Sequence, residues 1–265
     1  MTSLEKHFGL SQQPFPRSAP DAALLRHAGL EDVLSRLRFA LARDSIALLV
    51  AESGCGKSTS LALFARSLDA ANHNLLALSL TTVGAFGFLA SICAAAGLKS
   101  RRFKSETASL LLAHLRGLPK RTVLLVDEAH LLPDDSLEDL RLLTADDFDR
   151  KSPFALVLVG QPLLRDRLSE PRHYALSQRI ATRLRLRPLN EAEVPIFLDR
   201  HMKAAGTKTN PFTPEAVSAI FQHSRGIPRI VQNVALAAML VALPLAKKSV
   251  DETCVQQAIV DMEDL

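Results

Sequence analysis

The sequence predicts an α/β fold in which a parallel sheet carries a ligand site at one edge and a helical region follows. Apolar runs of strand length alternate with amphipathic runs of helix length, which is typical of parallel sheets buried on both faces. A glycine-containing loop joins the first of these strands to a helix. From Glu191 onward the apolar spacing is helical throughout.

Composition sets broad limits on function. The 265 residues are 48% apolar, enough for one large or two modest domains. A net charge of +4 permits nucleic-acid binding without requiring it. Cys55, Cys93 and Cys254 are far apart, which predicts free thiols and a reducing cytoplasm. The apolar run from Val234 to Ala246 is too short to span a bilayer and contains Pro244, so no membrane partner is expected.

The chain begins with a segment that we expect to be extended. Pro14 and Pro16 flank Phe15, and few positions in residues 1–29 repeat at helical spacing. Periodic leucines from Leu30 onward then predict an amphipathic helix that leads into the first strand.

The first strand, Ile46 to Val50, leads into the loop A-E-S-G-C-G-K-S-T. Small residues let backbone N–H groups surround a phosphate chain at a helix N-terminus, where the helix dipole favours negative charge. We expect Lys57 to reach the β- and γ-phosphates of ATP and the Ser58 hydroxyl to hold Mg²⁺. The predicted nucleotide-binding residues of this loop are Glu52, Ser53, Gly54, Cys55, Gly56, Lys57, Ser58 and Thr59. Ala51 replaces the usual first glycine. A glycine turn with a solvated lysine is the alternative.

A second strand, Leu75 to Leu80, and a helix, Ala85 to Ala96, are predicted next. A basic loop follows, and its predicted DNA-binding residues are Lys99, Arg101, Arg102 and Lys104, beside Phe103. Such a loop can pair with DNA phosphates. A solvated surface loop is the alternative.

The run from Arg121 to Val126 predicts a buried strand that ends in Asp127 and Glu128. In open α/β sheets ligands bind at the carboxyl ends of the strands. Asp127 therefore fits a partner of Mg²⁺, and Glu128 fits the base that polarises the attacking water. His130 follows, and for it packing or a local hydrogen bond is favoured over a role in coupling hydrolysis to a partner.

A further buried strand, Phe154 to Val159, precedes Gln161. Gln161 is predicted to sense the γ-phosphate or position the water, with helix capping as the alternative. Arg179 lies just before the last predicted strand, Thr182 to Leu186. A planar guanidinium pairs well with a transferring phosphoryl group across an interface. Arg179 is the first choice for this role and Arg183 the second, while an intramolecular salt bridge is the alternative.

Leu189-Asn190 marks a boundary, after which four helices are predicted. They are Glu191 to Ala204, a helix that begins at Thr213-Pro214-Glu215, Ile227 to Leu243, and Asp251 to Met262. A glycine stop and a proline start place Arg229 in the first turn of the third helix. From there it could reach a nucleotide on the neighbouring domain, or it is a surface cation.

These motifs resemble the ExeA-type branch of AAA+ ATPases across nearly the full chain. Their order is F-G-L…P-F, G-C-G-K-S, L-L-V-D-E-A-H, L-V-G-Q-P, Q-R-I…R-L and G-I-P-R. That branch is similar to the MuB, TnsC and TniB ATPases that assist DNA transposition. The resemblance implies a P-loop NTPase fold of AAA+ type, with a five-stranded parallel sheet in the order 5-1-4-3-2 and a helical lid. It also implies rings or filaments that bind ATP and Mg²⁺ between neighbouring subunits.

The resemblance also assigns roles. Walker A is Lys57 and Ser58, Walker B is Asp127 and Glu128, sensor 1 is Gln161, the arginine finger is Arg179 and sensor 2 is Arg229. Residues 1–29 form an arm that contributes to the nucleotide pocket or is strapped on the core. Residues 30–189 form the ATPase core, and residues 190–265 form the lid.

The function predicted is an ATP-switched, DNA-binding regulator that oligomerises on duplex DNA, recruits a transposase and disassembles on hydrolysis. The alternative is an ATPase that assists assembly of a secretion complex. Secretion members carry a membrane helix and an envelope domain, which these residues lack, and this favours DNA. The acid pair and the arginine-rich helical lid disfavour a metabolic P-loop kinase.

Overall fold

A computed structural model describes residues 3–16, 20–79, 81–145, 152–207 and 209–264. The chain divides into an α/β unit, Gly29–Leu186, and a helical unit made of Met1–Ala28 and Arg187–Leu265. The predicted bounds fell at 29/30 and 189/190, and the division in the structure falls at 28/29 and 186/187. The segment before residue 29 thus groups with the C-terminal helices.

The elements are as follows. The strands are β1 (Ile46–Val50), β2 (His73–Leu78), β3 (Arg121–Val126), β4 (Ala155–Gly160) and β5 (Ile180–Arg185). The helices up to the last strand are α1 (Ser3–Phe8), α2 (Ala28–Ala42), α3 (Lys57–Arg66), α4 (Ala85–Ala95), α5 (Lys104–Gly117), α6 (Asp134–Leu143), α7 (Pro162–Leu168) and α8 (Tyr174–Arg179). The later helices are α9 (Glu193–Ala204), α10 (Pro214–Ser224), α11 (Pro228–Ala242) and α12 (Glu252–Glu263).

The five strands form one parallel sheet in the order β2-β3-β4-β1-β5. This is the predicted order 5-1-4-3-2 read from the other edge, and the prediction is confirmed. β1 and β4 have a neighbouring strand on each side and are buried along their whole length, which is typical of inner strands in a parallel sheet covered on both faces. β5 lies at an edge and alternates between buried and exposed residues. It begins at Ile180, two residues before its predicted start, and Leu80, the predicted end of the second strand, lies outside the described residues.

Parallel pairing brings the candidate residues to one edge of the sheet. Val50 at the end of β1 pairs with Gly160 at the end of β4, and Val126 at the end of β3 pairs with Leu158 of β4. The loop after β1, the acid pair after β3 and Gln161 after β4 therefore emerge side by side.

The helical unit differs from the extended arm expected at its start. Ser3–Phe8 is a helix, and Leu4 and Phe8, four residues apart, are buried in the core that α9 to α12 form. The prolines that suggested an extended chain lie beyond this helix. Ser11 then donates from its backbone N (2.8 Å) and from Oγ (3.1 Å) to Ala205 O. The segment before residue 16 is therefore fastened to the C-terminal helices.

Two glycines of this unit permit close approach of the backbone. A Cβ on Gly226 (φ +74°) would lie 1.9 Å from Leu189 O, and one on Gly206 (φ +96°) would lie 2.1 Å from Ser11 Oγ. Neither position has room for another residue. Among the described residues, no helix is both long enough and apolar enough to cross a membrane.

Candidate active site

The loop between β1 and α3 closes around Lys57. This side chain is only 6% exposed, and its Nζ donates to Ala51 O at 2.9 Å and to Glu52 O at 3.1 Å. An ammonium carries three donors, and these carbonyls take two of them. The loop thus holds a positive charge at the N-terminus of α3, where the helix dipole adds to it.

Two glycines shape this loop. Gly54 and Gly56 adopt left-handed φ values of +81° and +93°, which glycine adopts without strain. Gly56 is the N-cap of α3, and within the described chain no side chain caps the helix there. The first N–H groups of α3 are therefore free to receive an anion. Ala51 donates its N–H to Gly160 O at 3.1 Å and continues the sheet, so this position needs no glycine.

The other loop residues fit a triphosphate with its metal. The side chains of Glu52, Ser53, Ser58 and Thr59 are exposed. The Ser58 hydroxyl and the nearby carboxylate pair are the hard oxygen donors that Mg²⁺ prefers. Cys55 is buried, and this burial raises the pKa of its thiol, so the thiol stays uncharged. ATP and Mg²⁺ thus suit the donors present.

The acid pair lies on a tightly bonded turn. Asp127 N donates to Leu78 O and Glu128 N donates to Asp127 Oδ1, both at 2.8 Å. Glu128 has φ +50°, a left-handed conformation that is uncommon for a residue with a side chain. Its carbonyl accepts hydrogen bonds from Thr81 Oγ1 (3.0 Å) and from Leu131 N (2.9 Å). These bonds hold the strained turn in place.

Gln161 follows β4 beside the acid pair. It is the N-cap residue of α7, but in the described part of the chain its side chain makes no cap hydrogen bond. The alternative of helix capping therefore does not occupy its amide. Gly160 before it leaves little space, because a Cβ there would lie 3.0 Å from Leu164 Cδ2 and 3.3 Å from His130 N. The turn after Walker B packs against this glycine.

Arg179 lies near the amino ends of the strands, whereas the residues described above lie at their carboxyl ends. It ends α8 and precedes Ile180, which pairs with Ile46 at the start of β1. The phosphate loop begins after the far end of β1, about 16 Å away at about 3.3 Å per strand residue. The Nη1 atom of Arg179 donates a hydrogen bond to Arg141 O at 3.1 Å. The second candidate, Arg183, donates to Ser177 O at 2.7 Å. Arg179 is therefore not part of the site in its own chain.

Arg229 belongs to the helical unit. It lies in the first turn of α11, as predicted from the glycine and proline before it, and it is exposed. Its role as sensor 2 stays a prediction, as do the contribution of residues 1–29 to the pocket and the cytoplasmic location.

Three of the predicted DNA-binding residues lie on the exposed connection between α4 and α5, and the fourth begins α5. Lys104, the first residue of α5, forms an ion pair with Asp139 Oδ1 at 2.7 Å. The Arg102 guanidinium lies 5.5 Å from the centroid of the Phe103 ring. Lys99 and Arg101 are exposed. DNA contact by this loop stays a prediction.

Two residues of the site did not stand out in the sequence. Thr81 holds the Glu128 carbonyl, and Arg167 Nη1 donates to His130 O at 2.7 Å. Thr81 is 47 residues from its partner along the chain, and no local pattern signals such a contact. Arg167 is one of several arginines in its region.

Comparison with known proteins shows what the chain is similar to. Residues 41–168 match the AAA domain family. General secretion pathway protein A of Aeromonas hydrophila is 34% identical over 245 residues, which are 89% of this chain and 44% of that protein. This chain thus spans less than half the length of that relative.

Solved structures show the same fold. The Aeropyrum pernix ORC1 protein in complex with DNA matches with a TM-score of 0.69 at 20% identity, over 94% of this chain and 68% of that one. The Thermotoga maritima RuvB Holliday junction branch migration motor matches with a TM-score of 0.59 at 21% identity, over 86% and 68%. At such identities the likeness concerns the fold alone.

The predicted role in DNA transposition is wrong. The curated relative is a secretion-pathway protein, and no similarity to MuB, TnsC or TniB is shown. The motifs behind the prediction are typical of nucleotide binding and hydrolysis, which ATPases with different tasks share. The argument from a membrane helix and an envelope domain does not separate the two functions, because these residues correspond to only 44% of the secretion relative. Residues 41–168 thus resemble AAA domains and have the P-loop fold, and the chain is similar over 89% of its length to General secretion pathway protein A.

Proposed function

We propose that the chain is a Mg²⁺-dependent ATPase of the ExeA/GspA type, which assists assembly of a secretion complex. The observation that supports this best is the position of the Lys57 ammonium. It lies inside a glycine loop on the same sheet edge as the Asp127–Glu128 pair and Gln161. These groups supply an anion site, oxygen donors for a metal, and a base.

Each residue then has one task. The N–H groups at the start of α3 and the Lys57 ammonium hold the phosphates, and the Ser58 hydroxyl and Asp127 hold Mg²⁺. The metal, when bound, neutralises charge that develops on the phosphate oxygens. Glu128 accepts a proton from the attacking water, and Gln161 orients that water. Asp127 Oδ1 accepts the Glu128 N–H, so the two carboxylates stay in a fixed relation.

The site is completed by a second copy of the chain. Arg179 lies at the far edge of its own sheet, so it acts on the phosphates of a neighbouring subunit. Arg229 has the role of sensor 2 that the family resemblance assigns to it. The protein is therefore a homo-oligomer in which adjacent subunits share each site.

The secretion role rests on the 34% identity to General secretion pathway protein A. In the native host, deletion of the coding sequence should reduce protein secretion. The wild-type chain should restore secretion, and a Glu128→Gln variant should not. Normal secretion in the deletion strain contradicts the role.

Hydrolysis is tested with the purified chain. Glu128→Gln should keep ATP affinity within a few-fold and lower the Mg²⁺-dependent rate by about 100-fold or more, because a positioned base typically contributes that much. Glu215→Gln, an exposed position in the first turn of α10, is the matched control and should retain the wild-type rate. A Glu128→Gln rate equal to wild type rules out this base.

The shared site is tested by mixing two inactive variants. The Lys57→Ala variant has a defective phosphate-binding loop but an intact Arg179. The Arg179→Ala variant has an intact loop but lacks the arginine. In a random equal mixture about a quarter of the sites combine an intact loop with an intact neighbouring finger, so about a quarter of the activity should return. An active Arg179→Ala variant, or a mixture that stays inactive, contradicts the shared site.

A further inference from the structure

The mechanism above leaves one buried group of the site unused, the imidazole of His130. Its side chain is 7% exposed, and its Nδ1 lies 3.3 Å from Glu128 Oε2. Among the described residues, Nδ1 has no aligned hydrogen-bond partner. An unpaired polar atom in a buried position lowers stability, so its presence calls for an explanation such as a role in the site.

The backbone of His130 is fixed on two sides. Arg167 Nη1 donates to the His130 carbonyl at 2.7 Å, and the same guanidinium pairs with Asp134 through Nη2. On the other side, the His130 N lies so close to the end of β4 that a Cβ on Gly160 would approach it to 3.3 Å. The backbone of His130 is therefore held at the end of β4, and the ring Nδ1 lies beside Glu128 Oε2.

Among the residues that the structure describes, no hydrogen bond anchors the side chain of Glu128. Its backbone is held by Thr81 and Leu131, and the carboxylate itself is half-exposed, at 38%. A long exposed side chain samples several rotamers. The Nδ1 atom of His130 lies beside Oε2 and can restrict the rotamers of the Glu128 side chain.

We propose that His130 is a positioning residue for Glu128: an Nδ1–H donor holds Oε2 and thereby directs Oε1 to the attacking water. The inference rests on the proposed function, because it assigns Glu128 the role of base. Hydrogen bonds between catalytic groups are often long before substrate binds and shorten in the reacting complex, which fits the 3.3 Å separation.

Two substitutions of similar size separate positioning from packing. In His130→Asn the amide N–H₂ stands close to the place of Nδ1, whereas in His130→Gln it stands closer to the place of Nε2. We expect His130→Asn to retain kcat within about threefold and His130→Gln to lose about tenfold, at equal ATP affinity and equal melting temperature. Equal kcat values for the two variants overturn the proposal.

A second measurement uses the folded wild-type chain. The ¹⁵N NMR signals of the His130 ring report which nitrogen carries the proton. We expect the proton on Nδ1, with a signal that moves in Glu128→Gln and stays in Glu215→Gln. A proton on Nε2 alone overturns the proposal.

The two levels of proposal fail in different ways. If the wild-type chain shows no ATPase activity that depends on Glu128, the proposed function fails. If that activity is present but His130→Asn and His130→Gln do not differ, only the positioning role of His130 fails.

Discussion

The loop between β1 and α3 and the turn at Asp127–Glu128 both contain left-handed backbone, but different residue types adopt it. Both follow buried parallel strands at one edge of the sheet, and both need left-handed backbone. The loop uses Gly54 and Gly56, which adopt φ values of +81° and +93° without strain. The turn uses Glu128 at φ +50°, where a side chain opposes the conformation.

The difference follows from what each segment contributes. In the proposed function the loop binds phosphates through backbone N–H groups, so side chains are dispensable there and glycine is favoured. The turn needs a carboxylate at its left-handed position, so the surrounding structure supplies the stabilisation through Thr81 and Leu131. If Glu128 is the base, as proposed, the strain at the turn follows from placing a reactive group there.

The largest effect is expected at the centre of the loop. Lys57→Ala removes the ammonium that the loop holds, so ATP affinity should fall by about 100-fold, or about 2.7 kcal/mol. Titration calorimetry with an ATP analogue measures it. Lys120→Ala, an exposed lysine that bonds Ala70 O, is the control and should bind normally. Unchanged affinity in Lys57→Ala contradicts the assignment of the pocket.

The loop should not tolerate a side chain at Gly56. Gly56→Ala meets only an ordinary contact, Leu186 Cδ2 at 3.8 Å, so its cost comes from φ +93° and from a poorer helix cap. We expect a loss of about 1.5 kcal/mol in urea unfolding. Gly117→Ala, at the end of α5 with nothing within 4 Å, should be neutral or stabilising. Equal effects at the two glycines refute the conformational argument.

The turn should respond in the opposite direction. Glu128→Gly and Glu128→Ala both remove the carboxylate, but only glycine relieves the left-handed strain. The free energy of unfolding, measured in urea, should therefore be about 1 kcal/mol higher for Glu128→Gly than for Glu128→Ala. If alanine is as stable as glycine there, the turn carries no strain.

The smallest effect concerns the hydroxyl that secures the turn. Thr81→Val removes the donor to Glu128 O and should cost about 0.7 kcal/mol in unfolding free energy. The Thr122 hydroxyl is also buried but has no partner among the described residues. Thr122→Val should be neutral or stabilising, and a cost similar to that of Thr81→Val argues against a specific role for the Thr81 bond.

The same contrast explains what sequence could predict. The loop is a contiguous motif whose backbone conformation its glycines dictate, so its position and shape follow from local residues. The order of the sheet followed from the family resemblance and is confirmed. The conformation of Glu128 depends on Thr81, 47 positions earlier, and such contacts leave no periodic or local signal. The helix at Ser3–Phe8 was missed because its burial depends on distant C-terminal helices.

Function was the least predictable feature. The residues that bind and split a nucleotide are the same whatever task hydrolysis serves, so the choice between transposition and secretion rested on other signals. The basic loop at Lys99 to Lys104 suggested DNA, yet Lys104 forms an ion pair with Asp139. Local charge was therefore a weak guide to the partner.

The helical unit combines the segments that precede and follow the α/β unit in the sequence. His7 Nε2 donates to Lys247 O at 2.7 Å, and Lys248 Nζ donates to His7 O at 2.7 Å, across some 240 positions of chain. During translation the α/β unit can fold once residue 186 has left the ribosome, whereas α1 must wait for its partners near residue 250. The helix α1 is thus synthesised before the α/β unit but docks after it, and until then its apolar face is available to chaperones.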